Sequence, residues 1–445
     1  MRLGKKWAWA VGLVALLLVL SMVVVACGGT EETTTTAGPA TTAGPATTAG
    51  PATTAGPATT AGPATTAAGG EAKTLKIGMV LNFGFPLHVD WKKEMEALVP
   101  AINDAGGLDI GGTKYKLEII MEDSKSNAET ARAAVEKLVN QDKVQFILGD
   151  ETVDGWLSVT EPAGVVVVAN TPTPGILQPA NKMAFNAGYF NTQAPIIWDW
   201  FTKNYPDIKT FAGAYIDAAQ GQAEAGKFKD LAKAFNKEIV ALEFYPPDTQ
   251  DFSAIATKIT SKNPQAFTTQ GGGPVSDSLL FKSLRTAGWK GQLFNTVPLS
   301  PPQVAKVISL QDVQGLVGAI AAIDSDSPPP VAQQLKDLYV AKYGEWTNPD
   351  VGFISTFYCM MAALQKAGTI DPAKVAETLA TGLTFETANG LGRMINRPDL
   401  GNDRTIDAVY ETRVGQIKGD TMVLLATISS QDGEAAARIL FSAPK

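Results

Sequence analysis

The sequence predicts an α/β fold built from two doubly wound, parallel-sheet lobes. Three observations predict it. From Leu75 onward, apolar runs of strand length alternate with segments of helical period. The strands are almost continuously apolar, as strands covered on both faces must be. The alternation then restarts after Asn191, so two units of similar build follow in series.

The elements follow in order. Leu75 to Asn82 reads as a buried strand, and Trp91 to Asn103 as a helix with Met95, Leu98, Val99 and Ile102 on one face. Ala105-Gly106-Gly107 stops it. Leu117 to Glu122 is a second strand. Ser126-Asn127-Ala128-Glu129 has the spacing of a capping box, and the helix behind it buries Ala131, Val135, Leu138 and Val139. Val144 to Leu148 and Val165 to Ala169 are the third and fourth strands. After Asn191, strands are expected over Thr210–Ile216, Glu238–Phe244, Ala266–Thr269 and Gln292–Thr296. Helices are expected over Ala223–Phe235, Phe252–Ser261 and Ser276–Ala287. In such sheets ligands collect beyond the carboxyl ends of the strands, and a cleft between two lobes is a common binding site.

Composition supports a folded body and narrows its partners. The chain has 445 residues, 45% hydrophobic and 18% charged, with a formal charge of −7. Three of the 37 basic residues and none of the 44 acids precede Cys27, so processing there leaves −10. An acidic chain is a poor partner for phosphate backbones, and no nucleic acid is expected. The two cysteines, Cys27 and Cys359, imply no disulfide framework. Cys359 reads as a small buried hydrophobe.

The N-terminus reads as an export signal. Residues 1–6 are basic, and Trp7 to Ala26 carries no charge over about the 20 residues that span a bilayer. The run ends in Val24-Val25-Ala26-Cys27-Gly28-Gly29, which is similar to the bacterial lipoprotein processing box. Cys27 is thus the expected lipidation site, with residues 1–26 removed as a signal peptide; an uncleaved membrane anchor is the alternative. Thr-Thr-Ala-Gly-Pro-Ala then repeats five times between Thr35 and Ala64. No large apolar side chain occurs from Cys27 to Lys73, so residues 27–72 read as a disordered tether without a core. Such a coil would span roughly 35–40 Å.

Several chemistries lack their residues. One histidine, His88, leaves no two-histidine zinc motif, and no metal or other cofactor is expected. There is no GxSxG elbow, and Gly271-Gly272-Gly273 runs into Pro274 without the lysine of a phosphate loop. No catalytic residue is assigned.

Ala101-Ile102-Asn103-Asp104-Ala105-Gly106-Gly107, Gly111-Gly112, Leu117-Glu118-Ile119-Ile120 with Asp123, and Asp142-Lys143-Val144 with Ile147-Leu148-Gly149 resemble the branched-chain amino acid (Leu/Ile/Val) binding proteins of bacterial ABC transporters. The resemblance runs from about Leu75 to about Val423. It implies the type I periplasmic-binding fold, with two lobes joined by a three-strand hinge. It also implies lobe 1 over 73–191, lobe 2 over 192–322, a return to lobe 1 over 323–390 and a return to lobe 2 over 391–445. The helix from Phe353 to Ala367 would belong to lobe 1, and strands around Thr405 to Ala426 would complete lobe 2.

The function implied is that of a monomeric, membrane-anchored, extracytoplasmic solute-binding lipoprotein delivering a small polar ligand to the permease of an ABC importer. A ligand sensor on the same fold is the alternative, and an exported hydrolase a more distant one. The implied binding loops hold Thr152, Asp154, Thr171, Thr173, Tyr189, Phe190, Asn191, Gln220, Gln270 and Gly271. Thr173 falls where the family's amino-acid binders use a threonine to hold the ligand carboxylate. His88, in the loop after the first strand, is a further candidate. Phe83, Phe85, Trp91 and Trp156 are candidate aromatic walls. The acid that those binders place in lobe 2 falls near Val297, where none stands, and Gly273 replaces an aromatic residue. The ligand is therefore expected to be a carboxylate, amide or aromatic acid rather than a simple aliphatic α-amino acid. Glu151, Asp154 and Asp277 are the acids that could supply the charge from another direction.

Overall fold

A computed structural model describes residues 72–171, 175–188, 190–325, 328–346 and 352–441. Cys27, the signal segment and the repeats lie outside the described residues, as do Thr173 and Tyr189.

The first lobe is built from β1 (Lys73–Leu81), α1 (Pro86–Asp104), β2 (Leu108–Ile110), β3 (Thr113–Asp123), α2 (Ala128–Asn140), β4 (Phe146–Gly149), α3 (Leu157–Ala163), β5 (Val166–Ala169) and β6 (Ala184–Asn186). The strands lie in the order β2-β3-β1-β4-β5-β6. All neighbours pair in parallel except β2 with β3, a short hairpin turned by Gly111-Gly112. Gly111 has a φ of +58°, and a Cβ there would lie 2.2 Å from the Gly368 carbonyl oxygen, so both backbone and space require glycine.

The second lobe continues with α4 (Phe190–Asn204), β7 (Thr210–Ile216), α5 (Ala219–Ala234), β8 (Glu238–Tyr245), α6 (Ser253–Ser261), β9 (Ala266–Thr268), α7 (Gly273–Thr286), β10 (Gln292–Asn295), α8 (Pro301–Ala305) and β11 (Val317–Ile320). The chain then forms α9 (Pro330–Tyr343), α10 (Ser355–Ala367) and α11 (Pro372–Ala380). The helix expected from Phe353 is α10, which packs into the lobe 1 core through Phe357, Met360 and Leu364. Three antiparallel strands follow, β12 (Thr384–Thr387), β13 (Gly390–Arg397) and β14 (Asn402–Tyr410), and then β15 (Thr412–Lys418), β16 (Thr421–Ile428) and α12 (Glu434–Ala437).

The second sheet has the order β16-β15-β11-β10-β9-β7-β8. It is parallel except at β11-β15 and β15-β16. The stretch from Thr405 to Ala426 divides. β15 and β16 extend this sheet, whereas β14 pairs with β13 in the separate three-stranded sheet. Alternating strand patterns alone do not tell which sheet a strand joins.

Apolar burial separates the lobes. One cluster fills lobe 1, from Ile77 and Trp91 through Val168 to Leu364 and Leu379. Two others cover opposite faces of the lobe 2 sheet, one around Phe267, Phe281 and Leu293, the other around Trp198, Phe211 and Phe294. The chain passes between the lobes three times, after β6, after β11 and between β14 and β15. Two of these passages are tied together, because the Tyr410 hydroxyl donates to the Ala187 carbonyl at 2.7 Å. Cys359 is fully buried, with its Sγ 3.9 Å from the Met394 sulfur, and burial pushes its thiol well above the usual range.

Candidate functional site

The loops at the carboxyl ends of β1, β3, β4 and β5 carry the polar side chains of lobe 1. Pro86 at the first position lets α1 begin early, so His88 lies in a helical turn rather than in a loop. His88 is fully buried among Phe85, Trp91 and Phe353, with ring centroids at 5.0, 6.2 and 4.6 Å. Trp91 is itself fully buried and packs on Phe353; Trp156 is likewise buried, and its indole N–H donates to Thr152 Oγ1 at 3.2 Å. Of the four aromatic residues, Phe83 stands most clear of the core, at 41% exposed.

His88 Nδ1 accepts a hydrogen bond from the Asn82 backbone N–H at 2.9 Å. The ring proton of a neutral imidazole must then sit on Nε2. Nε2 faces Glu151 Oε2 at 3.2 Å, a contact poorly aligned for a hydrogen bond, which we read as an electrostatic approach of a polar N–H edge to a carboxylate. Glu151 Oε1 accepts from Ser126 Oγ at 2.9 Å, and Ser126 Oγ accepts from Asn82 Nδ2 at 2.9 Å. Burial works to raise the Glu151 carboxyl, but the neighbouring His88 and these hydrogen bonds outweigh it and hold the group below its usual range.

This use of Ser126 corrects the capping-box expectation. Asn127 caps α2, its side chain accepting from Thr130 N at 2.9 Å, while Ser126 sits one residue earlier at a φ of +50°. Asparagine is as good a cap as serine, and sequence spacing alone does not rank them.

Asp150 lies behind Glu151 and is fully buried, accepting from Ser124 Oγ and Thr152 Oγ1, both at 2.5 Å. Burial, reinforced by the charge of Glu151, raises its carboxyl. His88, Asp150 and Glu151 offer ligand atoms within 4.8 Å of one another. They make a poor metal site, because the proton on Nε2 occupies the lone pair that a metal would need. Asp154 is exposed, and its carboxylate lies against Gly175. At the end of β5, Thr171 is buried and its N–H donates to Asn186 Oδ1 at 3.1 Å. Asn170 beside it is buried, and its Nδ2 has no partner among the described residues.

In lobe 2, Gln270 is the centre of a chain of bonds. Thr296 Oγ1 donates to Gln270 Oε1 at 2.5 Å, Gln270 Nε2 donates to Glu224 Oε2 at 2.5 Å, and Lys227 Nζ lies 2.8 Å from Glu224 Oε1. Glu224 is the acid that sequence reasoning missed on this face. The signal was the Gly221–Glu224–Lys227 spacing at the head of a helix that begins four residues earlier than its apolar pattern. Gly271 has a φ of +96° and runs past Gly221 and Glu224. Beneath this loop Asp277 is buried, with Thr269 Oγ1 at 3.4 Å, and burial pushes its carboxyl up to about 7. Phe190 and Asn191 open α4 and Gln220 lies in the first turn of α5; their side chains are outside the described residues.

Comparison with known proteins decides the family. The periplasmic binding protein family model matches residues 74–419. The chain belongs to the periplasmic binding protein family. A curated relative in Pseudomonas aeruginosa, a leucine-, isoleucine-, valine-, threonine- and alanine-binding protein, is 25% identical over 313 residues, covering 68% of this chain and 80% of its own length. Among solved structures, a leucine binding protein from Thermotoga maritima aligns with a TM-score of 0.61 at 18% identity, over 80% of this chain and 99% of that one. An ABC transporter solute binding protein from R. palustris, in complex with benzoate, aligns with a TM-score of 0.61 at 17% identity, over 80% and 96%. The fold of this periplasmic binding protein is thus the two-lobed type I arrangement. Members of the family bind solutes and work outside the cytoplasm. Among the described residues no helix is long and apolar enough to cross a membrane.

Proposed function

We propose that the protein is an extracytoplasmic lipoprotein that captures a small polar organic solute between its lobes and delivers it to an ABC importer. The solute is an amino-acid-like molecule, a carboxylate, an amide or an aromatic acid. One observation carries the reading. Both parallel sheets present fixed hydrogen-bonding side chains at the carboxyl ends of their strands, Asp150 to Thr152 and Asn170 in lobe 1 and Gln270 with Glu224 in lobe 2. The relative's amino-acid ligands and the benzoate of the R. palustris structure lie within the same class. Thr173 and Tyr189 are proposed to contact the solute from the loops after β5 and β6. The protein acts by binding alone, as a monomer.

A thermal-shift screen of amino acids, carboxylates, aromatic acids and amides tests this. A solute at 100 times its Kd stabilises the folded state by about 2.7 kcal/mol. No shift with any member of these classes overturns the assignment. Lipid on Cys27 is tested separately: mass spectrometry of membrane-extracted protein should find no peptide upstream of Cys27, and recovery of Trp7 and Trp9 in the mature chain would refute processing there.

A further inference from the structure

Besides Glu151, four of the acids described above are already accounted for. Asp150 is buried among hydroxyls and its carboxyl is raised towards the neutral form. Asp277 is buried beneath the β9 loop. Glu224 is neutralised by Lys227. Asp154 lies out against the Gly175 backbone. Glu151 differs from all of them. Its side chain is 34% exposed, and among the described residues its charge faces no lysine or arginine, only the Nε2 edge of a His88 whose other nitrogen is an acceptor. Three of its roughly four lone-pair sites face His88, Ser126 and the Glu151 backbone N–H, so one remains for a donor from outside.

The next strand supplies the complement. Gly149 of β4 pairs with Ala169 of β5, so Asn170 stands at the end of the strand beside that of Glu151. Its buried Nδ2 is a donor without an acceptor among the described residues. Buried donors left unmade are costly, and a ligand oxygen at this edge would relieve that cost. Among the described residues, one edge of lobe 1 therefore offers a carboxylate with no lysine or arginine partner and an amide N–H with no acceptor.

We propose that Glu151 anchors a nitrogen donor of the solute, an ammonium or amide N–H, from lobe 1, so that the protein selects amides and amino-bearing acids over acids without nitrogen. The inference rests on the cleft reading above and narrows its solute class. An acid without nitrogen would bring like charge to an uncompensated carboxylate with nothing to offset it. Glu151 is a specificity residue, and Ser126 and His88 are the positioning residues that hold its two oxygens.

Calorimetry on the full-length protein in detergent, with matched pairs, tests it: benzamide against benzoate, phenylalanine against 3-phenylpropanoate, and leucine against 4-methylpentanoate. The nitrogen-bearing member of at least one pair should bind at least tenfold more tightly than its partner. Glu151→Gln keeps the side-chain volume and an acceptor for Ser126, and should shrink that preference to within about threefold. A preference below tenfold in every pair that binds overturns the inference while leaving the solute-binding reading intact. An unchanged preference in Glu151→Gln of confirmed melting temperature also overturns it. Should that variant fail to fold, the preference of the native protein alone decides. If no member of any pair binds, the cleft reading for these classes fails, and the inference falls with it.

Discussion

At the scale of single residues, Asp277 makes the most direct prediction. Its carboxyl is sealed under the β9 loop beside Tyr245 and Tyr215, with Glu224 also acting on this cluster, and the Thr269 hydroxyl is a weak partner at 3.4 Å. Its usual value of 3.8 is raised to about 7. The folded state therefore keeps a proton that the unfolded state has already lost. Stability from this group falls as pH rises from about 4 towards 7, by a total on the order of 4 kcal/mol, and the loss is complete above about 7. Asp277→Asn removes the cost of ionisation. Relative to the native protein, the variant should gain melting temperature at pH 8 and gain little at pH 5. An equal change at both values would show that Asp277 does not titrate between them.

At the scale of elements, the loop from β9 into α7 is held by its neighbours rather than by its own chemistry. A Cβ on Gly272 would lie 2.0 Å from the Tyr245 hydroxyl oxygen and 3.0 Å from the Ser276 Cβ. Tyr245 is buried and its ring is stacked edge-on against Phe252 at 5.0 Å, so it cannot swing aside cheaply. Gly272→Ala should destabilise the protein by about 1–3 kcal/mol. Tyr245→Phe removes the obstructing oxygen, so the alanine should cost clearly less in that background, read as the coupling in a double-mutant cycle of urea melts. Equal costs in both backgrounds would mean that the contact does not set the loop.

Much at this scale was legible in the sequence. The strands at Leu75, Val144, Val165, Thr210 and Gln292 were visible because continuous apolar runs mark strands covered on both faces. Helix starts were less legible. α1, α5 and α7 each begin several residues before their apolar pattern, with Pro86 and Pro274 permitting the entry in two of them. That difference decides the site, since it places His88 in a helical turn and brings Glu224 to the cleft end of α5. The partner of Glu151 was not legible at all. His88, in the first turn of α1, and Ser126, in a loop, lie 63 and 25 residues away, and no local spacing records their meeting.

At the scale of the whole molecule, two lobes are connected by three passages of chain. Tyr410 ties the passage after β6 to the one before β15 through the Ala187 carbonyl, so those passages are expected to move together. Each lobe has its own apolar core, and a rotation between them leaves those cores intact. A solute that bonds to both faces shifts the population towards the closed arrangement by its differential affinity for the two. Small-angle scattering on residues 72–445, with and without the solute that raises the melting temperature most, tests this claim most directly. The radius of gyration should fall on saturation; an unchanged radius at full occupancy would contradict capture by closure of the lobes.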